Sequence, residues 1–584
     1  MCNIVGSGTN NIKDSSQEEK KNTLELSFGV FFDGTLNSIA NIDERKNFQK
    51  FLKNIDILTL LANINVLVER EQKVLDGNSS YDSYRNEYTN VARFYKCFKN
   101  NPGKIIPVYV EGIGAKPREI GQKIDFTKAP QKDKSSYDNY ESLNKFIEDN
   151  NGFVTCSDDT IGSALGVGMF GVKKKVEAAC EKIYNSIKNQ NLKKYDELKL
   201  NLYVFGFSRG SAAARCFSSC LQRRLGKTKV ESSFNTNTIG ILNVTSIKNK
   251  LAKENKYRTS LKQDWLDFYL KNPFVCKKVD TWVPQIKVKF LGLYDTVSSY
   301  GAYFNDDVDE LSLRIDSKNV ENVFQICAGD EYRKNFALTD ILSAGGKEKY
   351  MIIPGAHSDV GGGYAHNIKE GLKTFIGFSN SLVGISSGHK GKKMLIDEGW
   401  FNSGESERTI SNLYSIIPFL LMKEKIVGRD EVFNDKKMGK YVLPSSGKIS
   451  IDGIKHEYSQ ALCDFYNKLK AGKYDSYYRI EGSTIKNLSK EEHDLSDNLS
   501  QMNRDIRYLK SENVSYEIIK ILEKSSEKTK NKLREVKQKK MNYDETLLRK
   551  IRHDFLHLSA KSKEFTDLFV NGSDNNNNRT VING

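Results

Sequence analysis

The sequence predicts an α/β fold, namely a mostly parallel sheet flanked by helices and followed by a helix-rich C-terminal region. Over the first 365 residues, apolar runs of strand length alternate with segments that have helical patterns, as is typical of parallel strands joined by crossover helices. Residues 490–560 are strongly charged and rich in helix-favouring residues, which predicts solvated helices in the C-terminal region.

Five apolar runs are the predicted strands, and four of them end in a polar or glycine-rich turn. In parallel sheets, functional residues lie in the loops beyond the carboxyl ends of the strands. The turns FDGT, GFSRG, YDTV and GAHSDVGGGY are therefore expected at one edge of the sheet. The runs are LELSFGVFFDGT (24–35), KIIPVYVEGIG (104–114), LKLNLYVFGF (198–207), IKVKFLGLYDTV (286–297) and KYMIIPGAHSDV (349–360).

The segment Gly206-Phe207-Ser208-Arg209-Gly210 has the G-x-S-x-G pattern of a nucleophile elbow. Such a turn needs a strand before the serine, small residues two positions away on each side, and a helix directly after it. The run LYVF precedes Ser208, Gly206 and Gly210 flank it, and SAAAR follows, so Ser208 is the predicted nucleophile of an α/β-hydrolase-like domain. The pattern recurs at Gly384–Gly388, where no clear strand precedes it, and we interpret that copy as a loop.

A nucleophilic serine needs a histidine base and an acid that orients it, in the chain order Ser, acid, His. All seven histidines follow Ser208. We prefer His357 because it follows the strand-like MIIPG and opens a glycine-rich turn, and Asp295 because it ends the run VKFLGLYD. Asp359 is the alternative acid, although a local role in its turn is favoured. His553 and His557 share a helix face and are interpreted as a packed or surface pair.

The oxyanion hole needs two backbone donors, and the amide of the residue after the nucleophile, Arg209, is one candidate. The turn FFDGTLN is the expected source of the other: Gly34 permits close approach, Asp33 can brace the turn, and Thr35 completes the motif. The same stretch resembles the D-x-D-G-T motif of aspartate-nucleophile phosphatases. That alternative fails because Phe31 occupies the position of the attacking aspartate.

Composition sets limits on partners and cofactors. The 90 basic and 74 acidic residues give a net charge of +16, which favours anionic partners. The nine cysteines form no C-x-x-C pair, and neither a metal nor another cofactor is expected. No apolar run is long enough to span a membrane. The polar N-terminus does not resemble a signal peptide, so a cytoplasmic origin is expected.

Six motifs together resemble a known family, the first family of type VI secretion phospholipase effectors, whose α/β-hydrolase domain was once of unknown function. The resemblance covers roughly residues 22–365, and a weaker likeness to a closing segment of the family appears in IRHDFLHLSAKS (551–562). The motifs are FFDGTLN (31–37), TNVARFY (89–95), YVEGIG (109–114), GFSRGSAAAR (206–215), GLYDTVSSYG (292–301) and PGAHSDVGGGY (354–364).

The resemblance implies an enzyme that hydrolyses membrane phospholipids, with the triad on Ser208, Asp295 and His357. It further implies a secretion spike protein and a cognate immunity protein as partners, and delivery by the type VI system to the periplasm or membrane of a target cell. We therefore expect a serine hydrolase of the phospholipase A type that acts at a phospholipid membrane surface, with no nucleic acid partner. A soluble esterase and a non-catalytic binding module of the same fold are the alternatives.

The expected organisation has four parts. An apolar lid or membrane-facing loop is predicted within the second part at Phe375, Ile376, Phe378, Leu382, Val383 and Ile385, with packing on the core as the alternative. The parts are a disordered leader (1–22), a catalytic domain (23–440) with an insertion or lid at 366–410, a helical region for membrane or partner contact (441–570), and a flexible tail (571–584).

Overall fold

The computed structural model describes ten longer stretches of the chain. Shorter pieces are described at 145, at 274–276, 279–282, 305–306 and 308–315, and at 581–582. The longer stretches are 22–54, 82–115, 171–225, 285–300, 320–333, 336–372, 392–472, 482–512, 516–541 and 545–559.

A six-stranded sheet forms the centre of the molecule, and all of its strand pairs are parallel. We number these strands β1 to β6 in chain order, and they lie in the order β6-β5-β4-β3-β1-β2. The order reverses between β1 and β3, which is where parallel sheets of this kind open a crevice at their carboxyl ends. The strands are β1 Thr23–Phe32, β2 Ile105–Val110, β3 Glu197–Phe207, β4 Gln285–Tyr294, β5 Val323–Ala328 and β6 Glu348–Ile353.

Helices cover both faces of this sheet, and the described helices are numbered α1 to α15. They are α1 Ile39–Asn54, α2 Asp82–Arg85, α3 Asn90–Cys97, α4 Val172–Lys188, α5 Arg209–Leu225, α6 Val308–Leu311, α7 His357–Gly361, α8 Lys392–Asp397, α9 Ile416–Lys423, α10 Arg429–Val432, α11 Asp435–Met438, α12 Gln460–Lys470, α13 Gly482–Ser511, α14 Tyr516–Met541 and α15 Glu545–Phe555.

Two apolar clusters fill the spaces on either side of the sheet. Val30 and Phe32 of β1 pack with α4 and α5 in one cluster, whereas Phe31 points to the other face. Side chains alternate between faces along a strand, so a strand buried on both sides reads as a continuous apolar run. The second cluster includes α3, α9, α12 and α15, and it crosses the predicted boundary between residues 440 and 441.

The predicted fold class is confirmed, and the five predicted strands all belong to the sheet. The sixth strand of the sheet, β5, is not among the predicted strands. Its sequence VFQICA is short and wholly buried, and periodicity alone does not separate such a run from a helix segment. The six apolar residues of the predicted lid lie outside the described residues. The segment that carries them is flanked by an antiparallel pair, Ile368–Gly371 with Glu407–Ile410.

The charged stretch near the C-terminus forms helices, as its composition predicts. Helices α13 and α14 pack against each other as a long hairpin, and α15 returns to the apolar core through Leu548 and Ile551. Within the described residues, none of the helices combines the length and the apolar character that a bilayer span requires.

Candidate active site

Ser208 lies on a strained turn between β3 and α5. Its backbone has φ of 60°, the left-handed region that L-residues rarely adopt, and the side chain is buried. A Cβ on Gly206 would lie 2.5 Å from the Cα of Ser211, and one on Gly210 would lie 2.3 Å from the carbonyl oxygen of Asp33. Both flanking positions therefore require glycine, and this is the local geometry of a nucleophile elbow.

Asp295 occupies the corresponding turn at the end of the neighbouring strand, β4. It also has a positive φ, 46°, and its Oδ1 accepts a hydrogen bond from the amide of Ala328 at 2.8 Å. The Ser208 amide donates to the carbonyl of Tyr294 at 3.0 Å, and the amide of Val297 donates to the carbonyl of Ser208 at 3.4 Å. Backbone hydrogen bonds thus hold the two turns side by side.

His357 begins helix α7, just after β6, and its ring pairs with Asp295. The distance from His357 Nδ1 to Asp295 Oδ2 is 2.5 Å, and both side chains are buried. The ring centre lies 4.6 Å from that of Phe207, which directly precedes Ser208. Among the described residues, His357 Nε2 has no hydrogen-bond partner. The fold therefore brings Ser208, Asp295 and His357 to one edge of the sheet.

Burial controls the protonation of His357. Loss of hydration lowers the pKa of the imidazole below its usual 6.5, while the hydrogen bond and charge of Asp295 act in the opposite direction. A neutral ring that donates Nδ1–H to Asp295 carries its lone pair on Nε2. This is the tautomer that a general base for a serine hydroxyl requires.

The turn after β1 packs directly against the elbow, but it offers a different amide from the one predicted. A Cβ on Gly34 would lie 2.3 Å from the ring of Phe207, so the close approach is real. The Gly34 amide, however, donates to Asp33 Oδ1 at 2.8 Å. The next amide, that of Thr35, has no acceptor among the described residues. We therefore move the predicted oxyanion donor from Gly34 to Thr35.

Asp33 braces this turn from inside the protein. Its carboxylate accepts hydrogen bonds from Thr89 Oγ1 at 2.6 Å and from the Tyr109 hydroxyl at 2.5 Å, besides the Gly34 amide. Burial raises the pKa of Asp33 to about 6, against the opposite effect of these hydrogen bonds. Thr89 and Tyr109 belong to the motifs TNVARFY and YVEGIG, so the structure gives both motifs a role beside the elbow.

Asp359 and His557 form a second buried pair that the sequence did not predict. Asp359 Oδ2 accepts the Ala356 amide at 2.9 Å, which is the local turn role expected for it. Its Oδ1 lies 2.7 Å from His557 Nδ1, and the His557 amide also donates to Oδ2 at 2.9 Å. The sequence places His553 and His557 on one helix face as a packed or surface pair, whereas α15 ends at Phe555 and the buried His557 lies beyond it. The sole signal for it was the likeness of residues 551–562 to a family segment.

Three other described histidines, His366, His456 and His553, contact residues outside the proposed triad. His366 and His456 stack edge to face, with ring centres 4.6 Å apart, and His553 bonds Glu405 and Asp554. Over the described residues, no group of three or more His, Cys, Asp or Glu side chains is arranged to hold a metal ion. The second G-x-S-x-G copy and His389 lie outside the described residues.

A family model described as the catalytic domain of Tle1-like phospholipase effectors of the type VI secretion system matches residues 74–381, slightly more than half of the 584 residues. The chain belongs to this family. It therefore carries the catalytic domain of a type VI secretion phospholipase effector, with an α/β-hydrolase-like fold.

Two solved structures resemble the chain more distantly. A structure of the Tle1 effector bound to the VgrG spike of the type 6 secretion system is 16% identical, covers 77% of this chain and 79% of its own, and has a TM-score of 0.36. An uncharacterized protein from Pseudomonas aeruginosa is 14% identical over 77% of this chain and 51% of its own, with a TM-score of 0.31. Likeness at this level supports no further argument. No curated protein matches the chain.

Proposed function

We propose that this chain is a serine hydrolase that cleaves acyl esters of membrane phospholipids, an activity of the phospholipase A type. The observation that carries the proposal is the arrangement of Ser208 on its strained turn beside the buried His357–Asp295 pair. Membership of the phospholipase effector family supports the class of substrate.

In the proposed mechanism, His357 Nε2 removes the proton of the Ser208 hydroxyl as its oxygen attacks the ester carbonyl. Asp295 keeps the ring in the Nδ1–H tautomer and stabilises the imidazolium that forms. The imidazolium then donates its proton to the departing lysophospholipid alcohol, which leaves an acyl-serine. Water, deprotonated by the same histidine, releases the fatty acid and restores Ser208.

The oxyanion formed on attack needs donors on the side of the elbow that faces β1. The proposed donors are the amide of Arg209, which is the first residue of α5, and the amide of Thr35 on the turn after β1. The helix dipole favours negative charge at the first turn of a helix. Such donors contribute about 10²–10³-fold to kcat in hydrolases.

Two arginines near the triad support an anionic lipid as substrate. Burial, and secondarily the charge of Arg333, lower the pKa of Arg209 to about 10, so two guanidinium groups share this region. Glu331 Oε2 accepts hydrogen bonds from both Arg333 at 2.9 Å and the His357 amide at 3.3 Å. Because Glu331 neutralises Arg333, the net positive charge of these three groups is that of Arg209, and it favours a substrate that carries a phosphate.

The tip of the α13–α14 hairpin is the proposed contact with the bilayer. Four large apolar or aromatic side chains are exposed there: Tyr508, Tyr516, Ile518 and Ile521. Lys520 lies over the ring of Tyr516, with its Nζ 5.7 Å from the ring centre. Apolar and tyrosine side chains beside lysine suit the interface of an anionic membrane, and the net charge of +16 adds attraction to it.

Family membership also supports a delivery route. We propose that the type VI system carries the protein on its spike protein to the periplasm or membrane of a rival cell. A cognate immunity protein would protect the producing cell. Co-purification with the spike protein of the same system, and survival of producing cells only when the immunity protein is present, are the observations that test this route.

The test of the activity is release of fatty acid from vesicles of phosphatidylethanolamine and phosphatidylglycerol. We expect the native protein to release fatty acid and lysophospholipid, and S208A to release none. S386A is the matched control, because Ser386 lies in the other G-x-S-x-G copy, and it should keep full activity. Vesicles left intact by a protein that still cleaves short soluble esters would favour a soluble esterase. If a fluorophosphonate does not label Ser208 either, a non-catalytic binding module is the better description.

A further inference from the structure

The turn that carries His357 is hydrogen-bonded to a segment that lies nearly two hundred residues farther along the chain. His557 donates to Asp359 twice, from its amide at 2.9 Å and from Nδ1 at 2.7 Å. Asp359 in turn accepts the amide of Ala356, the residue directly before His357. Two hydrogen-bonded steps therefore connect His557 with Ala356, the residue directly before the proposed base.

A second buried carboxylate ties the same two segments together. Arg552 donates to Asp330 Oδ1 at 3.0 Å, and Asp330 Oδ2 accepts the amide of Gly355 at 2.9 Å. The side chains of Arg552 and Asp330 are almost completely buried. The turn at 355–359 is thus connected to the C-terminal segment at both ends, directly through Asp359 and by way of Asp330 at Gly355, which limits its movement relative to Asp295.

Arg408 fixes the C-terminal segment itself. Its guanidinium donates to the carbonyl of Arg552 at 2.5 Å and to that of Leu556 at 2.9 Å, and it pairs with Glu370 at 2.5 Å. These bonds satisfy carbonyls at the end of α15, which would otherwise lack partners. The segment that holds the histidine turn is therefore anchored in its own right.

We propose that His557 is a positioning residue for His357, and that residues 552–559 belong to the catalytic unit although they lie outside the matched range 74–381. The inference rests on the proposed function, in which His357 is the base. His557 is buried and its ring stacks on Tyr364 with centres 3.9 Å apart, so its orientation is set by packing. Loss of the Nδ1 donor of His557 removes one hydrogen bond to Asp359. A displacement of a catalytic group by about 1 Å can lower rates about 10²-fold.

The geometry distinguishes two conservative variants of His557. Asparagine places its amide nitrogen near the position of Nδ1, whereas glutamine places it near that of Nε2. Only the asparagine side chain can donate to Asp359 in the observed arrangement. H557N should therefore keep the bond, and H557Q and H557A should lose it. H493N is the matched control, because His493 is exposed on α13, outside residues 552–559, and pairs with Asp497 instead.

The experiment compares these four variants with the full-length native protein by three measurements. The first is kcat and KM on phosphatidylglycerol vesicles, and the second is the rate of Ser208 labelling by a fluorophosphonate. The third is the low-field NMR signal of the proton on His357 Nδ1, assigned with D295N. We expect kcat and labelling to fall about 10²-fold in H557A and H557Q with KM unchanged. The NMR signal should shift in those two variants only.

The outcomes separate this inference from the proposed function. If no protein hydrolyses lipid but the NMR signal follows the series, the lipase proposal fails and the positioning role stands. If H557Q, or H557A where it folds, keeps native labelling and the native NMR signal, His557 does not position His357. Equal losses in H557N and H557Q would also overturn the inference, because the role would then be packing on Tyr364 alone.

Discussion

The His357 imidazole is buried beside a carboxylate, and these two surroundings change its pKa in opposite directions. Burial has the larger effect and lowers the pKa below 6.5, whereas Asp295 raises it. The neutral ring is therefore the dominant form at neutral pH, and only the neutral ring can accept the Ser208 proton. Under the proposed function, His357 is therefore in the protonation state of a base before any substrate binds.

This shift predicts the pH dependence of the reaction. Under the proposed mechanism activity requires neutral His357, so it should be constant above neutral pH and fall as the pH drops through the lowered pKa of the histidine. We expect the acid limb of kcat/KM on a soluble ester to have its midpoint below 6.5, since vesicle charge then plays no part. The rate of fluorophosphonate labelling against pH gives the same curve without a substrate. A midpoint above 6.5 would contradict the proposed effect of burial.

Asp295 provides a separate test at the same scale. D295N keeps the size of the side chain but removes its charge and favours the wrong tautomer of His357, which in a serine protease lowers kcat about 10⁴-fold. We expect a loss of that order in vesicle hydrolysis, with the unfolding temperature little changed. D359N is the comparison, because Asp359 is the alternative acid from the sequence. A greater loss in D359N than in D295N would reverse the assignment.

At the scale of secondary-structure elements, the contact between the elbow and the turn after β1 leaves no room for a side chain. A Cβ on Gly210 would lie 2.3 Å from the Asp33 carbonyl oxygen and 2.5 Å from that of Phe32. Both neighbours are backbone atoms of a central strand and its turn, which cannot move without disturbing the sheet. The start of α5 and the end of β1 are therefore packed so closely that only glycine fits at position 210.

We accordingly expect G210A to lower the unfolding free energy by about 1–3 kcal/mol, as overpacking does, and to slow Ser208 labelling about 10²-fold. Urea unfolding and fluorophosphonate labelling measure the two effects. G439A is the control, because Gly439 has φ of −66° and a Cβ there would lie 3.2 Å from its nearest neighbour. Native labelling in G210A would show that the two elements can separate freely.

At the scale of the whole molecule, the catalytic edge of the sheet lies on the packed core, whereas the α13–α14 hairpin is proposed to project from it. One apolar cluster joins the sheet to residues as distant as Leu558, so the predicted catalytic domain of 23–440 shares its core with the C-terminal region. We propose that the catalytic unit includes α12 and α15, and that the α13–α14 hairpin projects from it. A projecting hairpin with an apolar tip can reach a bilayer without disturbing the site.

The hairpin tip gives a prediction about membrane binding. The double variant Y516S/I521S should bind phosphatidylglycerol vesicles at least tenfold more weakly, because each apolar side chain buried in a membrane contributes about 1–3 kcal/mol. Hydrolysis of a soluble ester should not change. Co-sedimentation with vesicles measures the binding, and L342S/V427S is the control, since those side chains are also exposed but lie elsewhere. Equal binding by the two double variants would rule out the tip as the contact.

Much of the fold and part of the site follow from local sequence alone. A run that is buried on both faces must be apolar throughout, so five of the six sheet strands are visible as runs. A strained turn between a strand and a helix needs small residues at fixed spacing, so Ser208 is visible through Gly206 and Gly210. Asp295 and His357 are predicted because each follows such a strand. These features depend on neighbours in the chain, and they can therefore be predicted from local sequence.

Contacts between groups that are distant in the chain depend on how the elements pack in three dimensions. Asp33 uses the Gly34 amide for its own carboxylate, so the proposed oxyanion donor is Thr35, and no spacing rule distinguishes two adjacent amides. Asp359 bonds His557 across 198 positions. Sequence alone also does not show that α15 ends at Phe555, so that His557 lies beyond the helix as the buried partner of Asp359. The sequence determined where the reactive residues stand along the chain, and packing determined which distant residues hold them in place.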